Sequence, residues 1–198
     1  MRHPLRRKNL SPRLLPFYAL ALLGFWWAQP SARSLGLGAA VMGVGLALRA
    51  WAAGHLVKRR VLCTSGPYAH LRHPLYLGTL ILVSGFGVAA GSQGGVLVFG
   101  AFVAVFFLYY LPYKERVESE RLEQRYSAAY EQYRLAVPGL WPRWSPWRTP
   151  SHWSLDPLGQ GRWLRARYHD NNEWGTLLGV MAGFGALVFR ALFQDPGA

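Results

Sequence analysis

The run Ser65-Gly66-Pro67-Tyr68-Ala69-His70-Leu71-Arg72-His73-Pro74-Leu75-Tyr76-Leu77-Gly78 crowds imidazole, phenol and guanidinium groups into one short stretch. Ser65-Gly66-Pro67 is a strong turn signal. Pro74 heads an apolar run, where its missing N–H suits the first turn of a helix. It also biases His73 toward an extended backbone. Arg72 and His73 are then set at the positive end of a helix dipole, a natural place for a carboxylate. Basic flanking of a membrane span would account for Arg72 as well, but it has no use for adjacent imidazole and phenol groups.

A second candidate group lies downstream. Leu122, Tyr126, Tyr130 and Tyr133 recur at steps of three and four, which predicts one packing face on a helix over roughly 113–134. Four residues back from Leu122 is Glu118, and a carboxylate on a packing face is unusual. Alternatively, Glu118 lies at the edge of the face and pairs with Arg121 or Arg125, a contact of little value. Glu115, Glu120, Glu123 and Glu131 read as the solvated face. Several chemistries are excluded by pattern, since the chain has no HExxH, no GxSxG, no P-loop and no GxGxxG after a strand. His70 and His73 are three apart, but Pro74 interrupts the helical geometry that a metal pair would need. The single cysteine, Cys63, excludes an intrachain disulfide and a CxxC knuckle.

The elements that must position these groups are membrane helices. The chain has 198 residues, 52% hydrophobic and 16% charged, well below the roughly 25% charged of an average soluble domain. Apolar runs fall at about 14–29, 35–57, 75–91, 96–113 and 174–193, each near the length of about 20 residues that a hydrocarbon core requires. The fold expected is all-α and polytopic, with about five spans and a cytoplasmic helix after the fourth. Along the chain this divides into a membrane core over 1–144, an interfacial Trp, Pro and Arg-rich segment over 145–173, and a last span with a short tail over 174–198. The second run is rich in glycine (Gly36, Gly38, Gly43, Gly45), which suits close helix packing in lipid. It also carries Arg49, which must face protein or water or snorkel to the interface.

The net charge of +13 invites a nucleic-acid reading, but the positions of the charges argue against it. Arg2, Arg6, Arg7, Lys8 and Arg13 precede the first run, and only Arg33 follows it. Lys58, Arg59, Arg60 and Arg72 lie between the second and third, and the turn Gly91–Gly95 has none. The stretch 113–173 holds ten, and the tail after Phe193 holds none. Positives on alternate connections are the positive-inside pattern, with the N-terminus cytoplasmic. The basic side then meets anionic headgroups, so membrane lipids are the expected partners and nucleic acid is not. The expected location is the inner or plasma membrane, as a multi-pass protein. The first 28 residues also look like a signal peptide, but Gln29 and Pro30 replace a tidy cleavage site, which favours an uncleaved anchor.

Together, Ser65-Gly66-Pro67-Tyr68, Arg72-His73-Pro74-Leu75-Tyr76 and Gly78 resemble the isoprenylcysteine carboxyl methyltransferase and phospholipid methyltransferase superfamily of membrane enzymes. So do Glu118 with Leu122, Tyr126, Tyr130, Tyr133 and Val137-Pro138, and Arg49-Ala50-Trp51-Ala52. The resemblance covers about residues 43–144; Arg2-His3-Pro4 repeats the tripeptide by chance. It implies S-adenosylmethionine enclosed between the Arg-His-Pro segment and the glutamate helix. The implied cofactor contacts are Tyr68, His73, Pro74, Leu75, Tyr76 and Glu118, with backbone contacts from Val61, Leu62 and Cys63. Lys114 and Arg72 are the implied catalytic side chains, Lys114 standing where the family usually has Arg near the acceptor. Two further departures are Arg60, often His in the family, and Ser119 in place of the second of two adjacent glutamates.

The chemistry implied is transfer of a methyl group to an apolar or lipid-associated acceptor: a prenylcysteine-like carboxylate, a lipid amine or a small thiol. Glu118 would suit the cofactor's ammonium, and His73, Tyr76 and the helix N-terminus its carboxylate. In-line displacement needs fixed geometry and a dry site rather than a metal. Competing readings are a sterol or isoprenoid reductase with a nicotinamide cofactor, and a membrane scaffold with no activity.

Overall fold

The computed structural model describes residues 15–57, 61–150, 153 and 161–194. The N-terminal arginines, Arg2-His3-Pro4, Lys58 to Arg60 and Ala198 lie outside the described residues. Those described form helices and connections with no strand: α1 (Leu15–Trp26), α2 (Ala32–His55), α3 (Pro74–Ala89), α4 (Gln93–Val105), α5 (Leu111–Ala136), α6 (Arg165–Asp170) and α7 (Glu173–Phe193). A 3-10 turn at Gly66–Ala69 precedes α3, and a π-helical turn at Phe106–Tyr110 joins α4 to α5.

Among the described residues, three helices are long and apolar enough to cross a membrane: Ala32–His55, the continuous Gln93–Ala136, and Glu173–Phe193. The first and third expected spans are shorter, at 12 and 16 residues. At 1.5 Å per residue they reach only about 18 and 24 Å, against a hydrocarbon core of about 30 Å. Both stop at the same tie. Gln29 N–H donates to the Ala90 carbonyl at 2.7 Å. Gly91 follows in the left-handed region, and a Cβ there would stand 2.5 Å from the Gln29 carbonyl oxygen. Only glycine admits that approach.

Two compact units emerge, each drawn from separated stretches of chain. One takes the described residues of Met1–Val44, Leu80–Pro112 and Gly175–Ala198. Inside it α2 and α3 touch through glycine: a Cβ on Gly38 would lie 2.7 Å from the Gly85 carbonyl, and one on Gly85 would lie 2.9 Å from that of Gly38. Gly36 and Gly43, expected to share this role, face open space. Arg190 closes the end of α1, donating from Nε to the Ala28 carbonyl and from Nη2 to that of Trp26.

The other unit is Gly45–Thr79 with Tyr113–Trp174. Its core joins Leu62, Tyr130, Tyr133 and Val137, with Leu122, Tyr126, Trp147 and Trp153 packed around them. The expected tyrosine face therefore assembles, but not on one straight helix. Ser127 adopts φ 41° and ψ −120° inside α5 and kinks it. Beyond the kink, Tyr130 hydroxyl comes within 2.8 Å of Ser119 Oγ, although eleven residues of straight helix would separate their backbones by roughly 16 Å.

Candidate functional site

The candidate site residues Val61 to Cys63, Tyr68, Arg72 to Tyr76, Lys114 and Glu118 belong to this second unit. Gly66, at φ +59°, opens the 3-10 turn beside the His55 imidazole, which a Cβ would meet at 2.6 Å. Pro67, Tyr68 and Ala69 are buried in that turn. Tyr133 hydroxyl donates to the Tyr68 carbonyl at 2.7 Å, tying the turn to the far end of α5. Burial pushes the Tyr68 phenol well above its ordinary range, with nearby Cys63, Tyr133 and Glu118 adding to the rise. Tyr68 is therefore a neutral hydroxyl at any working pH.

The segment after α5 clamps the residues before α3. Arg72 N–H donates to the Pro138 carbonyl at 2.8 Å and His73 N–H to that of Gly139 at 3.0 Å. Arg143 N–H reaches the His70 carbonyl at 3.0 Å, and Trp147 N–H that of Ala69 at 2.8 Å. His70 Nδ1 in turn lies 2.9 Å from the Arg143 carbonyl. His70 is thus a structural histidine. No pattern in residues 138–147 marks them for this work.

His73 and Pro74 adopt the arrangement that the proline predicts. Tyr76 and Leu77 N–H groups both point at the His73 carbonyl, at 3.1 Å, so Pro74 is the first residue of α3. Tyr76 stacks on the His73 imidazole, ring centres 5.2 Å apart. Its hydroxyl donates to Glu118 Oε2 at 3.3 Å. Arg72 pairs through Nη2 with Glu115 at 2.9 Å. Arg72, His73, Tyr76, Glu115 and Glu118 thus form one cluster, where α5 meets the start of α3.

Two acidic residues depart from expectation. Glu115 is not on a purely solvated face; Arg72, from outside its helix, claims it. Glu118 is exposed rather than packed inward, and it partners Tyr76 rather than Arg121 or Arg125. Ser119, one residue on, turns to the tyrosine core instead. Glu120 is exposed. Lys114 is half-buried, one helical turn before Glu118 and so on the same side of α5.

Several polar atoms here are buried with no hydrogen-bond partner: Arg72 Nε and Nη1, His73 Nε2 and Tyr126 hydroxyl. Each such orphan costs about 1–3 kcal/mol; those of Arg72 and His73 fall in this cluster, whereas Tyr126 packs against the tyrosine core. Burial lowers the His73 pKa below the ordinary histidine value, Glu118 opposes that, Arg72 reinforces it, and Glu115 opposes it again. His73 is held neutral near pH 7, able to donate or accept at Nε2.

The remaining candidates serve the frame. Leu62 is a core residue packed with Tyr130, Tyr133 and Val137. Cys63 Sγ donates to the His55 carbonyl at 3.2 Å. Val61 is half-buried beside them, Leu75 half-buried in the first turn of α3, and Pro74 fully buried. Arg49 does not snorkel; it forms a two-pronged ion pair with Glu173, which sequence reasoning missed. The other unit encloses a cavity of about 350 Å³ lined by Phe17, Phe25, Phe86, Phe99 and other apolar residues, with no titratable group to do chemistry.

Comparison with known proteins finds two curated relatives and one family. The chain is 33% identical over 133 residues to the cobalt-zinc-cadmium resistance protein CzcN of Cupriavidus metallidurans, covering 65% of this chain and 57% of that protein. It is 29% identical over 128 residues to the nickel-cobalt-cadmium resistance protein NccN of Alcaligenes xylosoxydans xylosoxydans, covering 63% and 56%. The chain thus spans little more than half the length of these curated relatives. No solved structure matches it. Residues 17–129, more than half of the chain, match the family model for phospholipid methyltransferases, and they include the whole cluster from Tyr68 to Glu118. The chain belongs to the phospholipid methyltransferase family.

Proposed function

We propose that this integral membrane protein binds S-adenosylmethionine and transfers its methyl group to an apolar or lipid-associated acceptor. The observation that carries the reading is the cluster of Glu118, Tyr76 and His73 at the start of α3, with orphaned buried polar atoms beside it. The residues fit the group. An exposed carboxylate at Glu118 is available to an ammonium. His73 Nε2 and the first turn of α3 are available to a carboxylate. Tyr68, Pro74, Leu75 and Tyr76 would line the same place, with backbone from Val61, Leu62 and Cys63.

Bound there, the cofactor would supply a methyl group on a sulfonium, ready for in-line transfer. The chain's own part is to orient and to exclude water. Glu118 and Tyr76 hold one end of the ligand, and neutral His73 keeps a second positive charge away from it. Lys114 and Arg72 would face the acceptor and draw an anionic group into line. A carboxylate or thiolate acceptor needs no base, whereas an amine would first have to lose its proton.

The names of the two relatives attach those proteins to metal resistance and designate no acceptor. Among the described residues no three His, Cys, Asp or Glu are grouped to hold a metal ion, so metal binding is not the reading favoured here. The proposed orientation puts the N-terminus, 55–73 and 113–173 in the cytoplasm of a cell bounded by this inner or plasma membrane.

Calorimetry on the purified protein with S-adenosylmethionine, and separately with a nicotinamide cofactor, tests the reading. Saturable binding of the first alone is expected. Binding of the nicotinamide instead would move the protein to the reductases, and binding of neither would leave a scaffold. Labelled methyl transfer to a prenylcysteine-like carboxylate, a lipid amine and a small thiol then identifies the acceptor class.

A further inference from the structure

Arg49 lies in the apolar helix α2, where an unpaired guanidinium is costly. Its Nε and Nη2 donate to the two oxygens of Glu173, at 2.9 and 2.7 Å. Its Nη1 donates to the Leu75 carbonyl at 3.2 Å and to Thr79 Oγ1 at 2.7 Å. Thr79 passes its own hydrogen on to the same Leu75 carbonyl at 2.9 Å. The pair is secluded, with side chains 15% and 5% exposed. Gly78 makes room for it: a Cβ there would stand 2.5 Å from Arg49 Cγ. One planar fork therefore joins the first residue of α7 to the opening turns of α3, the turns that carry Tyr76.

Stability alone does not explain that arrangement. A buried ion pair is often matched or exceeded by apolar residues of similar volume. What the pair supplies is direction, because a guanidinium fixed on one edge by a bidentate carboxylate has its remaining N–H groups aimed. Here they are aimed at the backbone of Leu75 and the side chain of Thr79.

We propose that Glu173 is a positioning residue for the cofactor site: it orients Arg49, which fixes the first turns of α3 and so holds Tyr76 against His73 and Glu118. This rests on the reading that Tyr76 and His73 contact S-adenosylmethionine. Glu173 lies beyond residues 17–129 matched to the family, and its role in the proposal is exerted through Arg49.

The main variant replaces the pair without leaving a lone charge. Arg49→Met with Glu173→Leu removes both ions, and Glu173→Gln keeps the shape and one acceptor. Asn171→Ala is the control; its Nδ2 holds the Ala53 and Leu56 carbonyls at the end of α2, at 2.8 and 2.9 Å. Thermal stability and S-adenosylmethionine affinity are measured for each full-length protein in detergent. The double replacement is expected to melt near wild type yet bind about tenfold or more weakly, the order of one charge-assisted hydrogen bond. Asn171→Ala should lower the melting temperature and leave the affinity of the folded protein unchanged. The Glu173→Gln loss should also shrink in a Tyr76→Phe background, since both act through one turn. Wild-type affinity in the double replacement or in Glu173→Gln, or losses that add fully with Tyr76→Phe, would overturn the proposal. If wild type fails to bind, or Tyr76→Phe and His73→Ala both bind normally, the underlying site reading fails instead.

Discussion

Replacing Glu118 by Gln removes one negative charge and keeps the shape of the side chain. Among the described residues its hydrogen bond to another element is the one from Tyr76, at a long 3.3 Å, so the folded protein should lose little. The cost should fall on the ligand. Two unit charges 4 Å apart attract by about 4 kcal/mol at an effective dielectric of 20. Glu118 is exposed before binding, so solvent screening and its own desolvation take back much of that. A net loss of about 1–3 kcal/mol is reasonable, or about 5-fold to 150-fold in the dissociation constant. Glu120 is the natural comparison, because Ser119 interrupts the acidic pair that the family usually carries. It lies about 200° round the helix from Glu118, and Glu120→Gln should change affinity less than twofold. Calorimetry with S-adenosylmethionine on both variants, with melting curves to confirm folding, decides between them. If Glu120→Gln weakens binding and Glu118→Gln does not, the register of α5 is wrong and the placement of Lys114 beside the acceptor falls with it.

His73 should make the protein acid-sensitive. Its pKa is lowered in the fold from an ordinary value of roughly 6.5, so its stabilising contribution is complete above that value and is lost as pH falls through the lowered one. Melting curves from pH 7.5 to 5 should show wild type losing more stability than His73→Gln, and equal losses would refute the assignment. His73→Ala should also weaken cofactor binding while the protein stays folded. Ser127, at φ 41°, is strained for any residue but glycine, so Ser127→Gly should stabilise by about 1 kcal/mol; a lowered melting temperature would contradict the kink. A cysteine at Gln93, in a Cys63→Ser background, should react with an impermeant thiol reagent only from outside the cell, and labelling from the cytoplasm alone would overturn the orientation.

What the sequence made legible was local. Pro74 announced the start of α3, because proline acts on its immediate neighbours. Periodicity found the tyrosine face but set Glu118 on it, whereas Glu118 is exposed. What it missed was set by distance along the chain. Ser127 sits in Tyr-Ser-Ala-Ala-Tyr, which contains no helix breaker, and the kink instead accompanies tertiary contacts such as that of Tyr130 with Ser119. Glu115 was assigned to the solvated face by its phase, but phase carries no word of Arg72, forty-three residues away. Glu173 and Arg49 are 124 residues apart, and two charges in apolar surroundings give no sign of each other until the helices pack.

The segment 138–153 shows how composition can point to a place without specifying the job. Its tryptophans suggested a belt at the membrane interface, and Trp141 and Trp144 are exposed, at 80% and 102%. Trp147 and Trp153 behave otherwise, packing in sequence onto Tyr133 with ring centres 5.4 Å apart at each step. The backbone bonds to Ala69, His70, Arg72 and His73 come from Trp147, Arg143, Pro138 and Gly139, which flank and separate the exposed pair. The partly buried pair packs on the tyrosine core, so the stretch that presents two exposed indoles is also the one that fixes the backbone of Arg72 and His73.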